Sequence, residues 1–400
     1  MPDTPQLSLL ANTESRRGTA TKRTLRVAGL FAGIGGIELG MQRAGHTTEL
    51  LCENEPTALA VLGHRFADVK LATDVRKIKK LPAVDLITAG FPCQDLSQAG
   101  KTTGITGARS GLVGEVFRLC EARETPWLVL ENVPFMLQLS RGRALAVIVD
   151  ALERLGYKWA YRVVDSRAFG LPQRRERVWF VASLHEDPRH VLFADDAGAP
   201  EPEVRDDGMA CGFYWTEGIR GLGWAVDAVP TLKGGSTIGI PSPPAIWLPS
   251  GEIVLPELRD AERLQGFREG WTSPAETVGR RSLRWKLIGN AVSVPVAEWI
   301  GKRLARLRDF ELSEIRWLRD GEPWPRAAWS VGEGRQTARV SAWPLRKARP
   351  SLEEFLRFPT TPLSERATAG FLERTKRARL RFPDGFLEAV GRHLASVRAA

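Results

Sequence analysis

Cysteine is scarce in this chain: Cys52, Cys93, Cys120 and Cys211 are the only four among 400 residues. They form no C-x-x-C pair and have no histidine at metal-ligand spacing, which argues against a zinc site and against a disulfide scaffold and suits a reducing cytoplasm. Long hydrophobic runs are missing too. No stretch approaches the roughly 18 apolar residues of a membrane span. The first 24 residues are polar, with Pro2, Pro5 and the basic pairs Arg16-Arg17 and Lys22-Arg23. They lack the core of a signal peptide and read as a disordered tail. No segment repeats. What is present is ordinary for a globular protein: 43% hydrophobic and 26% charged residues, enough to bury a core, over a length that predicts two or three units. The net charge of +10 points to a polyanionic partner, or simply to a basic soluble protein.

From Leu25 to about Leu184, short apolar runs alternate with amphipathic ones, the pattern of βα units around a parallel sheet. Residues 26–31 predict a first strand, followed by a glycine turn and a helix from about Gly36. Residues 49–52 predict a second strand, with Pro56 in the first turn of the next helix. Trp127–Leu130 and Arg177–Ala182 read as further strands. Between them, Leu145, Ile148, Val149, Leu152 and Leu155 recur at helical spacing ahead of a capping Gly156. Composition shifts after Ser183: residues 185–257 are rich in Pro and Gly and carry Trp215, Trp224 and Trp247. Helical patterns return at 258–267 and 294–307. The reading is a catalytic domain at 25–184 completed by 281–307, a loop-rich domain at 185–280, and an extension at 308–400 of unknown role. In that extension Trp317, Trp324, Trp329 and Trp343 lie among many arginines. They suit DNA-backbone binding, a small accessory core or a partner surface.

Cys93 follows the strand-like run 84–89 in Gly90-Phe91-Pro92-Cys93-Gln94. That puts a thiol on a loop at the carboxyl end of a strand, where open α/β sheets keep their chemistry. Pro92 fixes φ just ahead of it. A free thiol ionises near about pH 8.5, and neighbouring cations lower that value. Arg175 and Arg177, two apart and so on one face of a strand, are candidate cations, or a solvated strand end. Glu131 ends a buried strand at the same sheet edge; there it acts as a general acid with a raised pKa, or caps the next element. In Phe31-Ala32-Gly33-Ile34-Gly35-Gly36, the third place of G-x-G-x-x-G is Glu38. A carboxylate fits poorly beside a pyrophosphate, so hydride transfer is disfavoured. A cofactor with an amino-acid part and a ribose fits better, with Glu53 on the ribose hydroxyls and Asp74 on an adenine amino group, unless both merely cap helices.

In order along the chain stand Phe-x-Gly-x-Gly-Gly, Glu-Asn-Glu, Gly-Phe-Pro-Cys-Gln, Glu-Asn-Val, Gln-Arg-Arg-Glu-Arg, Arg-Leu-Gln-Gly-Phe and Gly-Asn-Ala-Val. Single motifs of this kind say little, but their order from Leu25 to Leu307 resembles that of the cytosine-C5 DNA methyltransferases. The resemblance implies a Rossmann-like α/β fold that binds S-adenosylmethionine, with a smaller target-recognition domain. It implies that Cys93 attacks C6 of a flipped-out cytosine, Glu131 acts at N3, and Arg177, with Arg175 more loosely, contacts the base O2 and its backbone. For the cofactor it implies Phe31 stacking on adenine, Gly33 and Gly35 beside the methionine part, Glu53 on the ribose, and Asp74 and Val75 on the adenine edge. Asn54, Pro92, Leu112 and Asn290 complete that pocket, Asn54 standing where some relatives carry an aromatic. The segment from Gln94 to Gly111, including Ser97, is implied to close over the base.

Around Thr231, Lys233 and Ser236 the recognition segment predicts contacts with phosphates or base edges, or a plain hairpin turn. Gln265 and Phe267 read as structural. The resulting expectation is a monomeric bacterial enzyme of the cytoplasm, without metal, that methylates a short sequence in duplex DNA beside a companion restriction endonuclease. A tRNA cytosine methyltransferase of the same fold and a non-catalytic DNA-binding protein are the alternatives.

Overall fold

The computed structural model describes residues 22–92, 111–235 and 242–399. Most of the tail read at 1–24, and the candidate residues Cys93, Gln94, Ser97 and Ser236, lie outside the described residues.

Seven strands build the frame of the large sheet: β1 (Arg26–Leu30), β2 (Thr47–Cys52), β3 (Lys70–Ala72), β4 (Leu86–Ala89), β5 (Trp127–Asn132), β6 (Lys158–Asp165) and, after the short β7 (Gln173–Arg174), β8 (Glu176–Ser183). Their spatial order is β6-β8-β5-β4-β1-β2-β3. Strands β3, β2, β1, β4 and β5 are parallel, and β8 is inserted antiparallel between β5 and β6. The chain leaves β1 outward through β2 and β3, then returns to place β4 on the other side of β1. Strand order therefore reverses at β1/β4, which opens a crevice at the carboxyl ends of those two strands.

Both faces of the sheet are covered, so its strands read as continuous apolar runs rather than alternating ones. In β5, Leu128 and Leu130 join the core on one face, with Val116, Leu145 and Ile148, while Trp127 and Val129 join the other, with Met41 and Ile300. The helices are α1 (Gly36–Arg43), α2 (Pro56–Arg65), α3 (Leu112–Ala122) and α4 (Arg143–Arg154), followed after the second domain begins by α5 (Leu258–Leu264), α6 (Leu283–Asn290) and α7 (Val294–Ala305). Helices α1 and α7 cross closely: a Cβ on Gly40 would lie 2.5 Å from that of Ala297. This contact brings the chain around residue 290 back to the first βα turn.

A second sheet, of five strands among the described residues, joins β9 (Cys211–Phe213), β10 (Ala225–Val226), β12 (Ala245–Trp247) and β13 (Ile253–Leu255) to β17 (Thr361–Pro362). Between β10 and β12, β11 (Val229–Pro230) pairs in parallel with β7 as a separate two-stranded sheet, beside β8 and β10 in the chain. Residues 308–399 are shared between the sheets. Their first part supplies β14 (Arg316–Trp317), β15 (Ala327–Ser330) and β16 (Gln336–Thr337), which lengthen the large sheet beyond β6. Their second part supplies β17 and helices α8 (Glu365–Thr375) and α9 (Phe386–Ala399), whose Phe371 and Phe386 pack on Phe213 of β9. Among the described residues no helix is long and apolar enough to cross a membrane.

One core residue is out of character. Glu38 of α1 is 1% exposed, and its Oε1 accepts from the Thr88 hydroxyl at 2.7 Å while Oε2 has no partner. Burial outweighs the Thr88 bond and pushes this carboxyl from 4.5 up to about 7. The folded protein therefore holds a proton that the unfolded chain releases near 4.5. Glu38's favourable contribution is complete below about pH 4.5 and is lost as pH rises to about 7, a change of about 3 kcal/mol. Glu38→Gln removes that titration. Thermal melts between about pH 5 and pH 8 are expected to lose this component of the slope and to show the variant more stable than wild type at the upper end. An equally steep fall in the variant would show that another group is responsible.

Candidate active site

The ends of five parallel strands, β1 to β5, assemble the site. At the end of β1, Phe31 sits at φ +54°, a conformation a non-glycine side chain adopts at a cost. The chain then turns through Gly33 and Gly35, at φ +55° and +78°, into α1. At Gly33 a Cβ would meet nothing within 4 Å, so this backbone faces open space. From the end of β2, Glu53 reaches back: its Oε2 accepts from Gly33 N–H at 2.8 Å, and its Oε1 accepts from the N–H groups of Asn54 and Glu55 at 2.8 and 2.9 Å. The carboxylate is thereby fixed beside the glycine turn, while Asn54 itself is exposed. Asp74 follows β3 and caps a short turn; both its oxygens are engaged by Arg76, which holds its carboxyl below the usual range. Val75, next to it, is buried, and Leu112 packs half-buried at the start of α3.

Because α7 seats against α1, Asn290 and Val292 close the other side of this space. Phe31, Gly33, Gly90, Glu131, Asn290 and Val292 line one cleft, so the glycine turn and Glu131 open onto the same space. The loop after β11 abuts it: a Cβ on Gly234 would lie 2.4 Å from Asn290 Oδ1.

Glu131 is the penultimate residue of β5 and is 8% exposed. Its Oε1 lies 3.1 Å from Nε of Arg177 on β8, and its Oε2 is 3.5 Å from where a Cβ on Gly90 would stand. Burial pushes the Glu131 carboxyl up, against the opposing pull of Arg177 and then Arg175. Burial likewise pulls Arg177 below its usual range, with Glu131 opposing. The pair is thus dry, and burial favours the neutral carboxylic acid at Glu131. Arg175 is placed differently. Its guanidinium is 1% exposed and donates to three backbone carbonyls: Leu232 at 3.0 Å, Gly289 at 3.2 Å and Ala291 at 2.5 Å.

Two side chains to which the sequence reading gave no role are part of this arrangement. Asn132 Nδ2 donates to the Phe91 carbonyl at 3.0 Å, and its Oδ1 accepts from Val133 N–H. It therefore anchors the backbone that leads through the exposed Pro92 to residue 93. In the sequence it stands inside the Glu-Asn-Val motif, at the close of an apolar strand. Tyr214 donates to the Thr231 carbonyl at 2.6 Å, and its ring lies 3.6 Å beneath the Lys233 ammonium. No sequence pattern marks it. Lys233 is also paired with Glu217, and the Thr231 hydroxyl donates to the Arg174 carbonyl at 2.8 Å. Gln265 donates to the Ile288 carbonyl at 2.8 Å and accepts from Gln173, while Phe267 packs on Trp271.

The profile of the family described as C-5 cytosine-specific DNA methylase matches residues 25–206. Type II methyltransferase M2.BsuMI of Bacillus subtilis (strain 168) is 48% identical, over 92% of this chain and 98% of the relative. Type II methyltransferase M.MspI of Moraxella sp is 28% identical over 75% of each chain. M.NlaX of Neisseria lactamica, also a type II methyltransferase, is 28% identical over 70% of this chain and 96% of its own. Enzymes of this family use S-adenosylmethionine. The cleft suits that cofactor: open backbone at Gly33 stands beside a carboxylate already oriented by three N–H groups. A relative 48% identical over nearly the whole length makes the assignment: this chain belongs to the C-5 cytosine-specific DNA methylases and is a DNA cytosine-5 methyltransferase.

Proposed function

We propose that the enzyme methylates C5 of one cytosine within a short sequence of duplex DNA, on a base flipped out of the helix and joined covalently to Cys93. The observation that carries this reading is the dry Glu131–Arg177 pair set over Gly90, where the chain runs on to Cys93. An aromatic carbon is a poor nucleophile until addition elsewhere makes it enamine-like. Cys93 Sγ adds to C6, and Glu131 delivers a proton toward N3, so that electron density collects at C5. The cofactor supplies an electrophilic methyl group. A base then takes the C5 proton, the thiolate leaves C6 by β-elimination and N3 returns its proton to Glu131, restoring the aromatic ring. Arg177 orients the Glu131 carboxyl and supplies donors for the base O2.

The other cysteines do not suit the nucleophile's role. Cys52, Cys120 and Cys211 are buried, and burial pushes their thiols up to about 11, 12 and 11. None is a thiolate near neutrality. In the cofactor cleft we assign Phe31 to the adenine face, Gly33 and Gly35 to the methionine part, and Glu53 to the ribose. Asn54, Asp74, Val75, Pro92, Leu112 and Asn290 form its remaining walls, with Asp74 available to an adenine amino group once Arg76 turns aside. Residues 185–280 carry the target-reading contacts, Thr231, Lys233 and Ser236 among them, and Gln94 and Ser97 reach the DNA from the loop after Cys93. Arg175 acts by position rather than by touching the base. The enzyme works as a monomer in the bacterial cytoplasm and shields host DNA from a companion restriction endonuclease.

Bisulfite sequencing of plasmid from cells making the protein is expected to show protected cytosines in one short motif. A duplex carrying 5-fluorocytosine at that position cannot lose a C5 proton, so it is expected to remain bound to Cys93 and to be found there by peptide mass spectrometry. Protected cytosines without such an adduct would overturn the covalent route while leaving the methylation standing.

A further inference from the structure

A second cleft lies outside the cofactor site, where two distant segments meet: the turn at Arg141–Arg143 that opens α4, and residues 318–324 of the C-terminal part. Arg141, Arg143 and Arg319 line it. Among the described residues none of the three is in an ion pair; Arg143 Nε makes a long 3.4 Å bond to the Ser140 carbonyl. The neighbouring charges are largely matched. Glu322 is bonded to Arg316 at 2.6 Å, and Arg335 is held by Asp150 and Glu153. Asp320 is left to face three guanidinium groups, so the cleft is net cationic.

The cleft is built rather than incidental. Ser140, Arg141 and Gly142 follow one another at φ +53°, +58° and +83°. Two of these are L-residues in the left-handed region, at roughly 1–2 kcal/mol each. Trp324 holds the turn by donating from Nε1 to the Gly142 carbonyl at 3.0 Å, and its ring packs edge-on against Trp159 and Tyr161 of β6. The position matters as well. The turn follows Asn132 by way of Val133–Leu139, a stretch whose Phe135 is 61% exposed. The C-terminal segment is tied to the same sheet edge, since Arg326 pairs at 2.7 Å with Glu176, the neighbour of Arg177.

We propose that this cleft takes a backbone phosphate of the duplex to one side of the target base, and that residues 318–324 contribute Arg319 to that contact. The proposal rests on duplex DNA being the substrate. The turn lies on the segment that leaves the carboxyl end of β5, and planar guanidinium forks pair bidentately with phosphate oxygens.

The test compares the full-length protein with an Arg141→Gln/Arg319→Gln variant, binding a target-containing duplex and an unrelated one over a range of potassium chloride. Each phosphate contact contributes about 0.9 to the slope of log affinity against log salt. The variant is expected to show a slope shallower by about 1 on both duplexes, with an unchanged methylation rate at saturating DNA. Arg141→Lys/Arg319→Lys, which keeps the charge, is expected to recover most of the slope. Wild-type slope and affinity in the Gln variant overturn the proposal. So does weaker binding at an unchanged slope, which marks a packing defect. Wild-type protein that neither binds nor methylates duplex DNA would instead remove the functional reading on which the proposal stands.

Discussion

Glu131→Gln is expected to slow methyl transfer by about 10²–10⁴, the range of a lost general acid, while cofactor and DNA affinities change only a few-fold. The amide keeps the shape and can still donate a hydrogen bond to a ring nitrogen, but it cannot transfer a proton. Two effects pull on the ground state. The carboxyl is raised by burial and held down by Arg177 and Arg175. Taking away its charge leaves Arg177 in a dry site with less compensation, and breaking a buried pair costs up to about 3–5 kcal/mol. A melting curve therefore has to accompany the kinetics. Single-turnover measurement with saturating cofactor and DNA isolates the chemical step from binding. A folded Gln variant within tenfold of wild type would sink the general-acid role. Cys93→Ser provides the contrast: no turnover and no adduct, yet binding retained, because a hydroxyl is far less ionised than a thiol.

The large sheet was legible because its physics is local. A strand covered on both faces is an uninterrupted apolar run, and Trp127–Leu130 and Arg177–Ala182 announce themselves in that way. Pro56 and Gly36 mark helix starts for equally local reasons. Glu53 was legible as a neighbour of the glycine turn since consecutive parallel strands place their carboxyl ends side by side. The division of residues 308–400 was not legible. Short strands such as Arg316–Trp317 and Gln336–Thr337 carry too few residues for any period to show. Their place depends on β15, which pairs with Gln336–Thr337 on one side and on the other with β6, about 165–170 residues earlier in the chain.

Within the site, what stayed hidden is what backbone carbonyls decide. The pattern Gln-Arg-Arg-Glu-Arg suggests two arginines on one strand face. Instead, Arg175 falls in the break between β7 and β8, and its side chain leaves for the carbonyls of Leu232, Gly289 and Ala291. No residue type at 232, 289 or 291 could have signalled this, since every residue carries the same acceptor. Asn132 and Tyr214 were missed for the same reason: each bonds a main-chain oxygen.

Arg175→Met is accordingly expected to destabilise the protein by about 3–5 kcal/mol, read from urea unfolding. Methionine fills much of the volume but takes the charged donor from three buried carbonyls, of which only that of Ala291 keeps a side-chain bond, at 3.3 Å from Gln265 Nε2, and a hydrogen bond from a charged group contributes about 1.5–3 kcal/mol. One term opposes the loss. Arg175 sits near the equally buried Arg177, and that like charge, after burial itself, pulls Arg175 well below its usual range. Removing it relieves part of the strain, which is why the expected cost is less than three full bonds. Arg175→Lys keeps the charge but offers a single nitrogen, able to reach one or two of the carbonyls. In that folded variant the KM values for cofactor and DNA are both expected to rise, because the Gly289–Ala291 wall and the Leu232 loop lose their common anchor. The rate at saturation is expected to stay within about tenfold. A fall in that rate with unchanged KM values would mean that Arg175 touches the reacting base after all, and that its hold on the three carbonyls is incidental to catalysis.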